Sequence, residues 1–493
     1  MRYFPYLIIL VSVIGLQACS MKPAEKKRNP YTDDYTEISS LSHRNQWNAA
    51  NVHDPSCIKV GDTYYVYATG AYFTPPNINF KDDSVHIGKL PIRSSKDLVN
   101  WNFEGWVFDE TPEEAFTYVK SVNGGHAADN MWAPFIRKVG DEYRLYYSVS
   151  YFGSNASFIG MATSESPLGP WEDKGEIVKT TRESKMNAID PSVITDKKTG
   201  KDWMVYGSYF GGLYCMELNT ETGLALTPGD KGHLIARLEN GKDRVIEAPE
   251  IVFNEEQDMY YLFVSYDSLF SFYNLRVGRS ESPEGPFLDY FGNDLKDTTD
   301  NYPILTHSYM FKNHPGWNGN AHCAVLNDNG KYYVMHQGRL APENLALQMH
   351  VREVNWLSNG WPVLSPERYN IIENKDQIEK EELTGLWEII ELQNIPDKKL
   401  YTPGGWQYKP EAFNVSVEAT FTTNGEVRVE KLEQIKNFDL KDGVLYLAGD
   451  ETSKIECAIF RGWDWEQECE TILFSGILPS GHGIWGKKVT PLK

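Results

Sequence analysis

Five segments of this chain repeat one plan: a polar or proline-marked start, an apolar run, a turn, then an aromatic strand. They read HDPSCIKVGDTYYVYAT (53–69), MWAPFIRKVGDEYRLYYSVS (131–150), AIDPSVITDKKTGKDWMVYGSY (188–209), IEAPEIVFNEEQDMYYLFVSYD (246–267) and NAHCAVLNDNGKYYVMHQGR (320–339). β-Branched and aromatic residues flank turns such as KVGD, DKKTGK and NDNGK, so each segment predicts a hairpin. Further strand-like pieces follow, and IGMATSESPLGPWED and LRVGRSESPEGPFLD look like copies of one unit. Units of roughly 60–80 residues with about four short strands each predict a β-propeller. Five hairpins predict five blades, over residues 46–380. A pair of β-sandwiches would not return one hairpin pattern so regularly. From about Glu381 the pattern ends, and 381–493 reads as alternating strands with Gly/Asp turns, a small C-terminal β-barrel or sandwich. The expected fold is all-β.

The chain of 493 residues carries a net charge of −20, which disfavours nucleic acid or an anionic membrane as partner and suits an acidic soluble surface. Its 14 Trp and 29 Tyr suit a β-rich fold and an aromatic-lined carbohydrate cleft. The N-terminus has one Arg, then an apolar stretch from Leu7 to Leu16, a secretory signal core too short to span a bilayer. It ends in LQAC, which resembles the bacterial lipoprotein cleavage box. Residues 1–18 are then a lipoprotein signal peptide, Cys19 the lipidated residue and 19–45 a flexible tether. The expectation is an exported monomer, held to the bacterial membrane only through its lipid, at the outer surface or the periplasmic face. Five further cysteines, Cys57, Cys215, Cys323, Cys457 and Cys469, fit no zinc spacing, and an odd count excludes complete internal pairing. The first three read as buried thiols; pairing of Cys457 with Cys469 stays open.

The hairpin starts carry Asp54, Trp132, Asp190, Glu247 with Glu250, and His322. In a propeller such positions converge at one mouth of the central channel. Several carboxylates around one cavity suit glycoside hydrolysis: one activates water, one protonates the leaving oxygen, and a third holds the acid's pKa up. Within VIEAPEIVF (245–253) the acid is ambiguous. If the prolines align, Glu250 shares parity with Asp54 and Asp190, each of which directly precedes a proline. Hairpin length does not decide, and a bulge at the strand start would reverse the parity.

The runs HDPS, NMWAPFI, NAIDPSV with WMVYGSYFGGLY, EAPEI with YYLFVSYD, AHCAV and MHVREVNWLSNGWPVLSPERY resemble glycoside hydrolase family 43, in order from about residue 50 to 370. The likeness is greatest to its endo-α-1,5-L-arabinanase branch, including a trailing small β-domain. The resemblance implies a five-bladed propeller and an inverting hydrolase acting on arabinan or arabino-oligosaccharides, endo-acting. An exo-acting α-L-arabinofuranosidase or a β-xylosidase of the family is the alternative, and a non-catalytic glycan-binding lipoprotein a further one. It implies Asp54 as general base, Asp190 as the residue that orients the acid and modulates its pKa, and Glu247 as general acid. His322 matches a histidine facing an axial metal, usually calcium, with water completing the shell. His53, Trp132, Asn187, Ser208 and Arg339 match substrate-binding positions. Where many arabinanases place Gly and Tyr after the acid, this chain has Ala248 and Glu250, and NAHCAV departs from the usual metal-site run. Residues 71–130 read as an insertion in the first blade. The conflict over the acid predicts a bulge or kink near Ala248–Pro249, with Glu250 lining the cleft or hydrogen-bonded.

Overall fold

The computed structural model describes residues 40–70, 87–238, 246–297, 300–341, 347–395, 401–402, 405–406, 413–432, 434–449 and 454–489. The signal peptide, Cys19 and most of the tether lie outside the described residues. So do 71–86 of the predicted insertion. Among the described residues no helix is long and apolar enough to cross a membrane.

Four antiparallel sheets of four strands form in chain order. Blade one is His53–Val60, Thr63–Thr69, Lys89–Ser95 and Trp101–Phe108. Blade two is Trp132–Val139, Glu142–Val149, Phe158–Ser164 and Glu172–Lys179. Blade three is Ser192–Thr195, Asp202–Ser208, Gly212–Leu218 and His233–Ala236; blade four is Ile246–Asn254, Met259–Tyr266, Asn274–Ser280 and Ile304–Thr306. Much of the predicted insertion is therefore the outer half of blade one plus the helix Glu113–Val122.

The propeller has four blades, not the five that the repeats predict. The fifth repeat does form its hairpin, Cys323–Asp328 with Lys331–Leu340, closed by Asn329-Gly330 with both residues at positive φ. Lys331–Leu340 is ten residues long, however, and its far end pairs with Trp317–Asn318. That strand leads to Tyr309–Met310, which pairs in parallel with Asn414–Val415 from the C-terminal part of the chain. The result is a seven-stranded sheet crossing the domain boundary. The four blades' first strands and Cys323–Asp328 meet in turn around a ring. One strand of the bridging sheet thus completes the channel wall.

The C-terminal part is an eight-stranded sheet, from Val427–Val429 and Val417–Phe421 through Gly385–Leu392 and Gly483–Lys488 to Val444–Ala448 and Asn437–Lys441. A bridge between Glu426 and Asn437 nearly closes it into a barrel. Its interior is filled by Trp387, Phe421, Phe438 and Phe474, all buried. Trp387 and Phe421 stack with centroids 4.9 Å apart. No disulfide joins Cys457 to Cys469, whose cross-strand partners are Gly476 and Asp464.

Candidate active site

One backbone feature recurs at the start of all five first strands. Asp54, Ala133, Asp190, Ala248 and His322 adopt left-handed φ of 50°, 39°, 58°, 55° and 51°. Each such residue costs roughly 1–3 kcal/mol, least for Asp and His, and persists only where its surroundings over-determine it. Here each N–H is held by a side chain of the preceding sheet. Ala133 donates to Thr69 Oγ1 (2.7 Å), Asp190 to Ser148 Oγ (3.1 Å), Ala248 to Asp190 Oδ2 (3.2 Å), His322 to Ser265 Oγ (2.8 Å) and Asp54 to Gln337 Oε1 (3.3 Å). The five bonds run round the ring and close it.

Register shifts accompany the turn between His53 and Ser56, Trp132 and Phe135, and Glu247 and Glu250. The bulge predicted at Ala248–Pro249 is present, and it settles the parity conflict. The prolines at 55, 134, 191 and 249 do align, but the extra residue cancels simple alternation. Glu247 occupies the place of His53 and Trp132, one residue before the left-handed position. Glu250 occupies the place of Ser56 and Ser192.

Asp54, Asp190, Glu247 and His322 come together. His322 Nδ1 lies 2.8 Å from Asp54 Oδ1, and His53 Nδ1 lies 3.0 Å from Asp54 Oδ2, which also accepts from Thr69 Oγ1 (2.6 Å). Burial raises the Asp54 pKa, but the two histidines outweigh it and hold the carboxylate well below its ordinary value. Burial raises Asp190 well above the carboxylate range, the charges of Glu247 and Asp54 adding to it. Burial also raises Glu247, with Asp54 adding and the hydrogen bond from Tyr273 and the charge of His322 opposing. His322 is pushed the other way by burial, yet Asp54, Asp190 and Glu247 carry it up to about 9. Three carboxylates around one cation are thus split into an ionised Asp54 and two groups that hold protons more tightly.

The other predicted residues are placed as follows. Trp132 is partly exposed beside this cluster, its Nε1 donating to Asn130 Oδ1 (2.9 Å). Asn187 and Ser208 are buried and bonded to each other (3.1 Å), with Ser157 Oγ donating to Asn187 Oδ1 (2.6 Å). Arg339 is buried with its guanidinium 5.5 Å from the Phe270 ring centroid. Sequence reasoning missed Tyr273, which bonds Glu247, and polar residues in the later part of four second strands, those of blades one, two and four and of the fifth hairpin: Thr69, Ser148, Ser265 and Gln337. Their signal was a polar residue closing each aromatic run, in VYAT, YYSV, LFVS and VMHQ.

Among the described residues, the acidic and histidine ligand atoms that converge tightly are those of Glu367, Asp464 and Glu466, which surround Lys487 rather than the channel mouth. At the mouth two imidazoles, His322 and His53, are set among carboxylates, each with its Nδ1 on Asp54. That donor set fits a hard cation held by charge and by water, not one caged by protein ligands.

Residues 44–362 match the family described as Glycosyl hydrolases family 43, and residues 366–486 match a C-terminal lipocalin-like domain. An extracellular endo-α-(1→5)-L-arabinanase of Thermotoga petrophila is 28% identical, over 89% of this chain and 94% of the relative. An extracellular exo-α-(1→5)-L-arabinofuranosidase of Cellvibrio japonicus is 33% identical, over 63% of this chain and 86% of its own length. The crystal structure of endo-1,5-α-L-arabinanase from Thermotoga petrophila RKU-1 superposes with a TM-score of 0.74 at 26% identity, covering 90% of this chain and 99% of that one.

Proposed function

The chain belongs to glycosyl hydrolase family 43, and on that footing we propose that it is an inverting, endo-acting hydrolase of α-1,5-linked arabinan. The observation that carries the reading is the cluster of Asp54, Asp190 and Glu247 at the channel mouth, with one carboxylate held ionised and two protonated more readily. Glu247 is the general acid, giving its proton to the glycosidic oxygen as the bond to the sugar breaks. The Tyr273 hydroxyl then stabilises the carboxylate left behind. Asp54 is the general base and takes a proton from the water attacking the opposite face of the sugar. Asp190 accepts the N–H of Ala248 and so steadies the backbone beside the acid, and its repulsion with Glu247 disfavours ionising both carboxyls at once. His53 and Trp132 border the cleaved sugar; Asn187, Ser208 and Arg339 line or back its subsite.

Endo action is favoured over exo because the relative matched across both domains is named an endo-arabinanase, while the exo-acting one matches 63% of the chain. These relatives are described as extracellular, which supports export. We extend this to lipid attachment at Cys19 and, separately, read the enzyme as a monomer. Linear arabinan should yield oligosaccharides of mixed length, with the β-anomer formed first by NMR. Arabinose as sole product would overturn endo action. Activity confined to an aryl xyloside would overturn the arabinan reading.

His322 would hold a calcium ion through its imidazole only after losing the proton that Asp54, Asp190 and Glu247 otherwise keep on it, with water as the remaining ligands. When bound, that ion would supply positive charge to the carboxylate cluster. Chelation should lower both the rate and the melting temperature, and added calcium should restore them; if neither changes, His322 holds no metal.

A further inference from the structure

Glu250 is a carboxylate the mechanism does not use. It is 8% exposed and borders a void of about 10 Å³ with Pro55, Pro191 and Pro249, room for at most one water. Its contacts place it in a second ring of bonds below the first. At the corresponding place in blade one, Ser56 Oγ accepts the N–H of Ile136 across one inter-blade joint (3.0 Å). In blade three, Ser192 Oγ accepts the N–H of Ile251 (3.2 Å). In blade four Glu250 spans two joints. Its Oε1 accepts the N–H of Val325 (3.1 Å), three residues past His322. Its Oε2 accepts from the Ser192 hydroxyl (2.7 Å), two residues past Asp190.

A buried carboxylate is a costly means of making a bond that a serine makes elsewhere in the ring. What it adds is reach. One side chain ties the strands of Asp190, Glu247 and His322 together. Glu247 sits three residues before it, across a bulge whose Ala248 is held left-handed. The bonds that oppose relaxation of that bulge are Ala248 to Asp190, Ile251 to Ser192, and the two to Glu250.

We propose that Glu250 is a positioning residue for the general acid: by clamping Ser192 and Val325 it fixes the bulge that aims Glu247 at the leaving oxygen. The proposal rests on Glu247 being the acid. Misplacing a proton donor slows substrates whose leaving group needs protonation and hardly affects those whose leaving group does not. Glu250→Ala should therefore lower kcat on linear arabinan roughly 10- to 100-fold with KM unchanged, and change turnover of an aryl α-L-arabinofuranoside with a good phenolate leaving group little. Glu250→Gln keeps an acceptor for Val325 and a polar group for Ser192, and should recover most of the rate. Should Glu250→Ala not fold, Ser192→Ala cuts the same clamp and should show the same dependence on leaving group. Equal losses on both substrates, or Glu250→Gln as poor as Glu250→Ala, would overturn the proposal. Glu247→Ala measured alongside separates the two ideas: without leaving-group dependence there, the acid assignment itself fails.

Discussion

Replacing Glu247 by alanine should reduce kcat on linear arabinan by about 10³-fold, within the range general acid catalysis contributes. An aryl arabinofuranoside with a good phenolate leaving group should be nearly spared, because its bond breaks without a proton. The pH profile gives a second, independent signature. Activity needs Glu247 protonated and Asp54 ionised, so the rate falls as pH rises through the first pKa and as pH falls through the second. Burial raises Glu247 and the histidines depress Asp54. The alkaline limb should lie above the ordinary glutamate range and the acid limb below the ordinary aspartate range. In Glu247→Ala the alkaline limb should vanish on the activated substrate while the acid limb stays. If the same loss and the same vanished limb appear in Glu250→Ala and not in Glu247→Ala, the two glutamates have been assigned the wrong way round.

The difficulty of choosing between those glutamates shows where sequence patterns end. Repeated hairpins are legible because turn chemistry and aromatic strands recur with nearly constant spacing, and a proline after four of the five left-handed residues marks the strand starts. Alternation then counts residues, and a bulge inserts one that the count cannot see. Asp54, Asp190 and His322 are residue types that tolerate positive φ, yet Ala133 and Ala248 are not, so composition alone does not flag the turn in blades two and four. The wall between blades four and one was harder still. Tyr309–Met310, Trp317–Asn318 and Asn414–Val415 are strands of two residues each, too short to carry a period. They exist because neighbours from distant parts of the chain supply their hydrogen bonds. That is why five repeats became four blades and one sheet shared with the C-terminal barrel. Tyr273 lies at the edge of a strand and was visible only once folding set it against Glu247.

That shared sheet makes the domain boundary part of the catalytic scaffold, and its electrostatic pin is Lys487. The side chain is 1% exposed. Its Nζ lies 2.8 Å from Glu367 Oε1 and 3.1 Å from Asp464 Oδ1, and it also bonds Glu466. Glu367 follows the last strand of the bridging sheet, whereas Asp464 and Lys487 belong to the barrel. Nearby, Arg352 donates to Tyr309 Oη (2.8 Å) and lies 5.0 Å from the ring of Trp485. Lys487→Met keeps much of the buried volume and removes the ammonium that contacts all three carboxylates. Breaking a buried pair from one side costs about 3–5 kcal/mol, because the remaining charge is left unmatched. The variant's urea midpoint should fall by a corresponding amount at neutral pH. The loss should shrink on acidification. Burial holds Glu367 well above the ordinary range and Asp464 at about 6 even with the lysine in place. Carboxyls with raised folded-state pKa values bind protons more readily folded than unfolded, so lowering the pH through that region stabilises the fold relative to the unfolded chain. A midpoint deficit that stays the same from neutral pH down to pH about 5 would mean that lost packing, and not unmatched charge, is what the lysine prevents.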